Sequence, residues 1–406
     1  MMVIVCCAAI LGMVDAPETE ASRPSRLRFE VVDATPAEAC AAFSRASGKT
    51  VLIAPRADGL SSRRVTLRIE RPLTFWEGFD ALARTLNATE DPGASGSDEN
   101  TASVLRLVTS GEGDPLPVCY HGPLRLNVVR VVRERALSFE KAADPDDDAA
   151  DQEDDDERFE VAIQIFAEPG RLVAPDGAVR LDRVVDDLDS NLIAPAAALN
   201  DDAGIPADDP EVAAPPEVEP GPGRPRGRLG VAQINLRLRA PTRTGTRIER
   251  LEGMLPVRVA TWTGTPLQVD LASAEGKTFE IDQVTLAGVE VKSEARGAAR
   301  FTLITLDYTP NSNTLDRDPA SMSGDDDAPP RIPLDTIQNR LEFLDEDHVP
   351  LRWWVRDTKP LEEGSPTRRV TLAVDARGAA PARMLVHPLA EARLEVPFRF
   401  EKIPMP

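Results

Sequence analysis

Histidine is scarce in this 406-residue chain, aromatic residues make up 4% of it, and only four cysteines occur. Each shortage excludes something. The three histidines, His121, His348 and His387, stand before a glycine, inside an acidic turn and before a proline. Their spacing, with Cys119 added, matches no metal motif. HExxH, GxSxG, the P-loop and GxGxxG before a helix are all absent, so no catalytic, cofactor-binding or metal-ligating residue is assigned. The cysteines form neither a CxxC nor a disulfide framework. Cys40, on the apolar side of a predicted helix, reads as a buried small hydrophobe, with a disulfide to Cys119 as the alternative. With few aromatics, the cores must be built from Val, Leu, Ile and Ala. Positive charge is also in deficit: 47 Lys and Arg face 68 Asp and Glu, for a net charge of −21. That balance repels phosphate backbones and anionic membrane surfaces and excludes a nucleic-acid partner. Beyond the first residues no segment approaches about 18 uninterrupted apolar positions, so no integral membrane span is expected in the mature chain.

What is present begins with MMVIVCCAAILGMVDA, residues 1–16, an apolar run too short to span a bilayer and followed by small residues. It resembles a secretory signal segment, which implies a periplasmic or secreted protein.

Residues 27–109 read as an α/β module. Leu27, Phe29 and Val31 alternate as a half-buried strand does, and Thr35-Pro36-Ala37-Glu38 supplies a capping box with proline at the first helical position. Ala39, Phe43 and Ala46 recur at helical spacing, and Gly48 ends the helix. A short strand at Thr50 to Ala54 and a second at Val65, Leu67 and Ile69 follow. Thr74 and Glu77 then form another capping box before Phe75, Phe79, Leu82 and Leu86. After a loop, Ala88 to Ala102, one closing strand runs over Val104 to Val108. The order is βαββαβ. The runs RFEVVDATPAEACAAFSRASGKTVLIA and RRVTLRIERPLTFWEGFDALARTLN resemble the secretin and TonB short N-terminal (STN) domain of bacterial envelope proteins. That resemblance implies a periplasmic module working through protein contacts.

From about Leu116 onward alternating strands without helices indicate mainly antiparallel β-sandwich domains, so the fold class is α+β followed by all-β. RLDRVVDDLDSNLI and RLEFLDEDHVPLRWW share an apolar strand, an acidic turn and a strand opening with Leu. This internal similarity suggests two related sandwiches, 115–260 and 261–406. Three stretches, 144–157, 194–227 and 311–333, have the acidic, proline-rich composition of disordered inserted loops. The first could be imagined as a calcium loop, but it lacks the glycine and spacing of an EF-hand.

Trp353 and Trp354 are adjacent on a predicted strand, so one faces away from the core and could stack on a sugar or a partner. The leading expectation is therefore a non-enzymatic envelope protein that contacts an envelope protein partner through the STN-like module, with the sandwiches as spacers. A carbohydrate-binding role at Trp353 and Trp354 is the alternative. A hydrolase of unfamiliar type, using carboxylates such as Glu168, Asp186 and Asp187, is the third.

Overall fold

The computed structural model describes residues 19–54, 64–90, 104–109, 117–135, 157–193, 230–241, 245–282, 284–296, 299–310, 336–362, 364–376 and 378–406. The signal-like segment 1–16, the acidic tract up to residue 156 and the stretches 194–227 and 311–333 lie outside the described residues. Glu157, assigned to the acidic loop by sequence, opens a strand. The described residues are mostly β-strand in several antiparallel sheets, with two α-helices.

The N-terminal part contains β1 (Arg26–Leu27), β2 (Glu30–Ala34), α1 (Pro36–Ser47), β3 (Thr50–Ile53), β4 (Val65–Arg68), β5 (Leu73–Thr74), α2 (Phe75–Leu86), β6 (Ala88–Glu90) and β7 (Val104–Thr109). Both capping boxes form. The Thr35 backbone N–H donates to the Glu38 carboxylate at 2.8 Å, and the Thr74 N–H to the Glu77 carboxylate at the same distance. Each threonine hydroxyl accepts the N–H three residues on. Gly48 and Asn87 end the helices in the left-handed region, at φ 67° and 55°. The two helices bury Phe43, Phe75 and Phe79 against one another, with Phe29 edge-on to Phe43 at 5.2 Å. The strand predicted over residues 27–31 is divided into β1 and β2, which pair with different partners, β5 and β4. The predicted loop after α2 contains β6, antiparallel to β7 from Ala88↔Thr109 to Glu90↔Leu107. Its three residues bury only Ala88, which is too short a run for alternation to register.

The first sandwich is assembled from β8 (Val118–His121), β9 (Leu124–Arg135), β10 (Glu157–Ala167), β11 (Arg171–Pro175), β12 (Arg180–Asp186), β13 (Val231–Leu238), β14 (Arg247–Trp262) and the last strand of the chain, β23 (Leu389–Pro404). One sheet has the order β13-β10-β9-β8; in the other, β14 is flanked by β11 and β12 along one edge and by β23 along the other. Leu126, Val161, Ile163 and Leu236 from the first sheet meet Leu251, Leu255, Val257 and Phe400 from the second in one core. Pro256 sits mid-strand, where β12 has ended and β11 has not begun. Its carbonyl accepts Asp176 N–H across that seam, so the missing proline N–H interrupts no ladder there.

The second sandwich packs a sheet of order β15-β22-β19 on one of order β16-β17-β18-β21-β20. Its strands are β15 (Leu267–Asp270), β16 (Phe279–Ile281), β17 (Val284–Arg296), β18 (Ala299–Pro310), β19 (Leu341–Leu344), β20 (Trp353–Pro360), β21 (Arg368–Asp375) and β22 (Arg383–Val386). Phe343, Met384 and Val386 face Leu286, Ile304, Leu306 and Leu372 in its core. Among the described residues, 3-10 turns at Leu271–Ser273 and Ile337–Asn339 interrupt what the sequence suggested was helix-free.

The division into 115–260 and 261–406 needs correction at the C-terminus. β23 pairs with β14 along its whole length, from Arg247↔Pro404 to Trp262↔Leu389, and Val396, Phe398, Phe400 and Ile403 are buried in the first core. Alternation identifies a strand and its apolar face but carries no information about which sheet it joins. The two acidic turns, by contrast, share their bonding as their sequences suggest. Asp186 N–H donates to Ser190 O, Asp189 N–H to Asp186 O and Leu192 N–H to Val184 O. The second turn repeats this with Asp345 to Val349, His348 to Asp345 and Leu351 to Phe343. In each turn the leading aspartate carboxylate accepts the N–H four residues on, and the fourth residue is left-handed, Asp189 at φ 59° and His348 at φ 64°.

Candidate functional site

Trp353 and Trp354 lie on β20, which among the described strands pairs only with β21 at the end of its sheet. Period-two alternation sends them to opposite faces. Trp353 turns inward, edge-on to Phe343 at 5.4 Å and packed on the second core. Trp354 takes the outer face, edge-on to Phe301 at 5.4 Å with their planes at 84°. Both are half-buried. The pair is thus split, one ring serving the core and one held perpendicular to a neighbour.

The three candidate carboxylates fall in two separate places. Glu168 follows β10 and is almost fully buried. It accepts the Ser25 backbone N–H at 3.0 Å and the Ser25 hydroxyl at 2.8 Å, and pairs with Arg171 at 3.4 Å. Burial raises its pKa, opposed by the Ser25 hydrogen bonds and the Arg171 charge. Arg171 in turn donates to the carbonyls of Glu20, Ala21 and Arg23, so the two side chains tie the segment leading into β1 onto the first sandwich. Asp186 accepts Leu188 and Ser190 N–H groups within its own turn. Asp187 accepts the Thr246 hydroxyl and backbone N–H, and the hydroxyl bond is the main cause of its lowered pKa. All three are bonded to neighbouring chain, and they are not brought together.

The histidines are equally dispersed. His121 ends β8, and burial lowers its pKa. His348 occupies the second acidic turn beside Arg383. His387 stacks face to face on Trp262 at 3.7 Å, with its Nε2 at 3.3 Å from Glu342. The Trp262 indole N–H donates to Asn339 O at 2.7 Å, joining the end of β14 to the second sandwich. Cys40 and Cys119 are both free thiols, so the disulfide alternative is not formed. Cys40 is buried, which pushes its thiol pKa up to about 11 and leaves it a small hydrophobe. Among the described residues, no group of three His, Cys, Asp or Glu side chains is placed to hold a metal ion.

Sequence reasoning missed Arg125. It sits on β9 between Leu124 and Leu126, which face the first core, so alternation reads it as solvent-facing. That face is instead covered by α2. The guanidinium lies 4.1 Å from the centre of the Trp76 ring and 4.4 Å from that of Phe166. It pairs with Asp80 at 2.9 Å and with Glu90. Tyr120 donates its hydroxyl to the other Asp80 oxygen at 2.6 Å. Burial disfavours the cation, and the Glu90 and Asp80 carboxylates more than offset it, so the Arg125 pKa is raised. Burial raises the Tyr120 pKa as well, reinforced by the Asp80 charge. Only a charged residue at a β9 position flanked by two core leucines hints at this joint in the sequence.

The joint also fixes which side of the N-terminal sheet is covered. α2 is spent on the first sandwich, while α1 and α2 cover the Val51, Leu105 and Leu107 side of the sheet. On the opposite side β3 presents Leu52, 47% exposed, across from Arg106 of β7. Val32, on the bulge of β2, is 55% exposed. No protein-family model, curated protein or solved structure matches this chain.

Proposed function

We propose that this is a non-enzymatic protein of the bacterial envelope, periplasmic or secreted, that binds another envelope protein through its STN-like βαββαβ module. The sandwiches hold that module at a fixed angle. The carrying observation is the division of the module's two faces: α2 is locked to the first sandwich by the buried Arg125 cluster, and the sheet face with Leu52 is left outward. Leu52 is the apolar side chain through which that outward face would meet a partner. The antiparallel β6–β7 pair after the second helix is compatible with that reading. The carboxylates singled out by sequence are engaged in structural bonds to Ser25, Thr246 and the acidic turn, which favours binding over catalysis as the reading.

Crosslinking capture from native envelope tests this. Wild-type protein should retain a partner, and Leu52→Lys should reduce its recovery roughly tenfold, as for loss of one interface anchor. Equal recovery by both would remove the module's sheet face from consideration. If Trp354→Ala alone lost the bound material, and that material were glycan, the carbohydrate reading would replace this one.

A further inference from the structure

The two sandwiches follow one plan. Strands β8, β9, β10 and β13 form one sheet of the first in the order in which β16, β17, β18 and β21 form one sheet of the second. A register shift interrupts the long β9–β10 pairing, and another interrupts β17–β18. In the opposing sheets β12 pairs with β14 as β19 pairs with β22, and each leads into the acidic turn whose hydrogen bonds match. Among the described strands β11 and β20 have no counterparts, and the far edge of the central strand differs in origin. On the far edge of β22 lies β15, the first strand of the second sandwich. On the far edge of β14 lies β23, the last strand of the chain, and no described strand preceding β8 joins that sheet.

From this we infer that the first sandwich is a repeat in which the last strand of the chain takes the leading strand's place, and that the edge of β14 is a peptide-binding groove that β23 fills. Its ligand is an extended segment with large apolar residues at alternate positions. The groove carries a specific notch. Gly253 stands opposite Phe398, and a Cβ there would lie 2.8 Å from the Phe398 ring and 2.4 Å from the Arg180 carbonyl. The glycine leaves room for the ring, which an alanine would push out. Phe400 follows two residues on, its ring centre 5.9 Å from that of Phe398, and Val396 and Ile403 continue the buried row. The outward side chains set register by charge: Arg393 pairs with Asp176, Arg399 with Glu252, and Glu391 with Arg258, each at 3.2 Å. Backbone pairing provides affinity and the alternate pockets provide specificity, as in strand addition generally.

The test keeps every residue of the protein. A protease site is inserted between Pro388 and Leu389 of the full chain, the chain is cut, and fluorescent peptide 389–404 is added in excess. Exchange into the cut protein is expected, with a Phe398→Ala peptide binding about a hundredfold more weakly, as for truncation of one buried phenylalanine. Failure of the wild-type peptide to exchange, or equal uptake of both peptides, would overturn the groove. Should the inserted site prevent folding, the uncut full chain carrying Phe398→Ala gives the second readout. Its hydrogen exchange should accelerate across residues 118–262 and not across 267–386. Acceleration confined to 267–386, or none anywhere, overturns the inference.

Discussion

Arg125 shows how much a single position can hold. Its guanidinium is buried between Trp76 and Phe166 and bonded to two carboxylates, so replacing it with methionine strands Asp80 and Glu90 without their counter-charge. Removing one partner of a buried ion pair costs about 3–5 kcal/mol. Arg125→Met is expected to lose that much in urea unfolding, and adding Asp80→Asn and Glu90→Gln should recover part of it. An unchanged midpoint would show that the cluster contributes nothing net. At this scale the sequence was partly legible. Cys40 as a buried hydrophobe and the opposed faces of Trp353 and Trp354 follow from periodicity alone. Arg125 did not, because alternation reports that a side chain leaves one core and is silent about what covers the other face. The same limit hid the bonds of Glu168 to Ser25, whose partner is 143 residues away in the chain.

Elements were the most legible level wherever local chemistry specifies them. Both helices begin at the threonine and end at the left-handed residue because caps, boxes and C-terminal turns are read within a few residues. Thr74→Ala removes the hydroxyl that accepts the Glu77 N–H at the start of α2, the helix that carries Trp76 and Asp80 into the joint. The expected loss is about 1 kcal/mol. Because the cap lies at the joint, the loss should appear as faster hydrogen exchange in β9 as well as in α2. Exchange altered in α2 alone would mean that the helix and the sandwich open independently. β6 was missed for want of length: its three residues bury only Ala88.

For the whole molecule, the sandwich class was legible from strand spacing and the resemblance between the acidic turns, whereas the closure of the first sandwich by β23 was not. Pairing between residues 247 and 404 is a long-range choice made by shape, by the Gly253 notch and by facing charges, none of which leaves a periodic trace. That closure has an engineering consequence. Trp262 lies directly across from Leu389, and Thr263 N–H donates to Pro388 O at 3.0 Å, so the whole second sandwich departs from and returns to the tip of a single hairpin. It is a cassette mounted on a turn. Replacing residues 264–387 by Asn-Gly leaves the two-residue connection that antiparallel strands favour. Such a miniature should fold with one cooperative transition and keep the Arg125 joint, at the expense of the Trp262–His387 stack. Other domains with neighbouring termini could then be mounted at the same tip without disturbing the Arg125 joint.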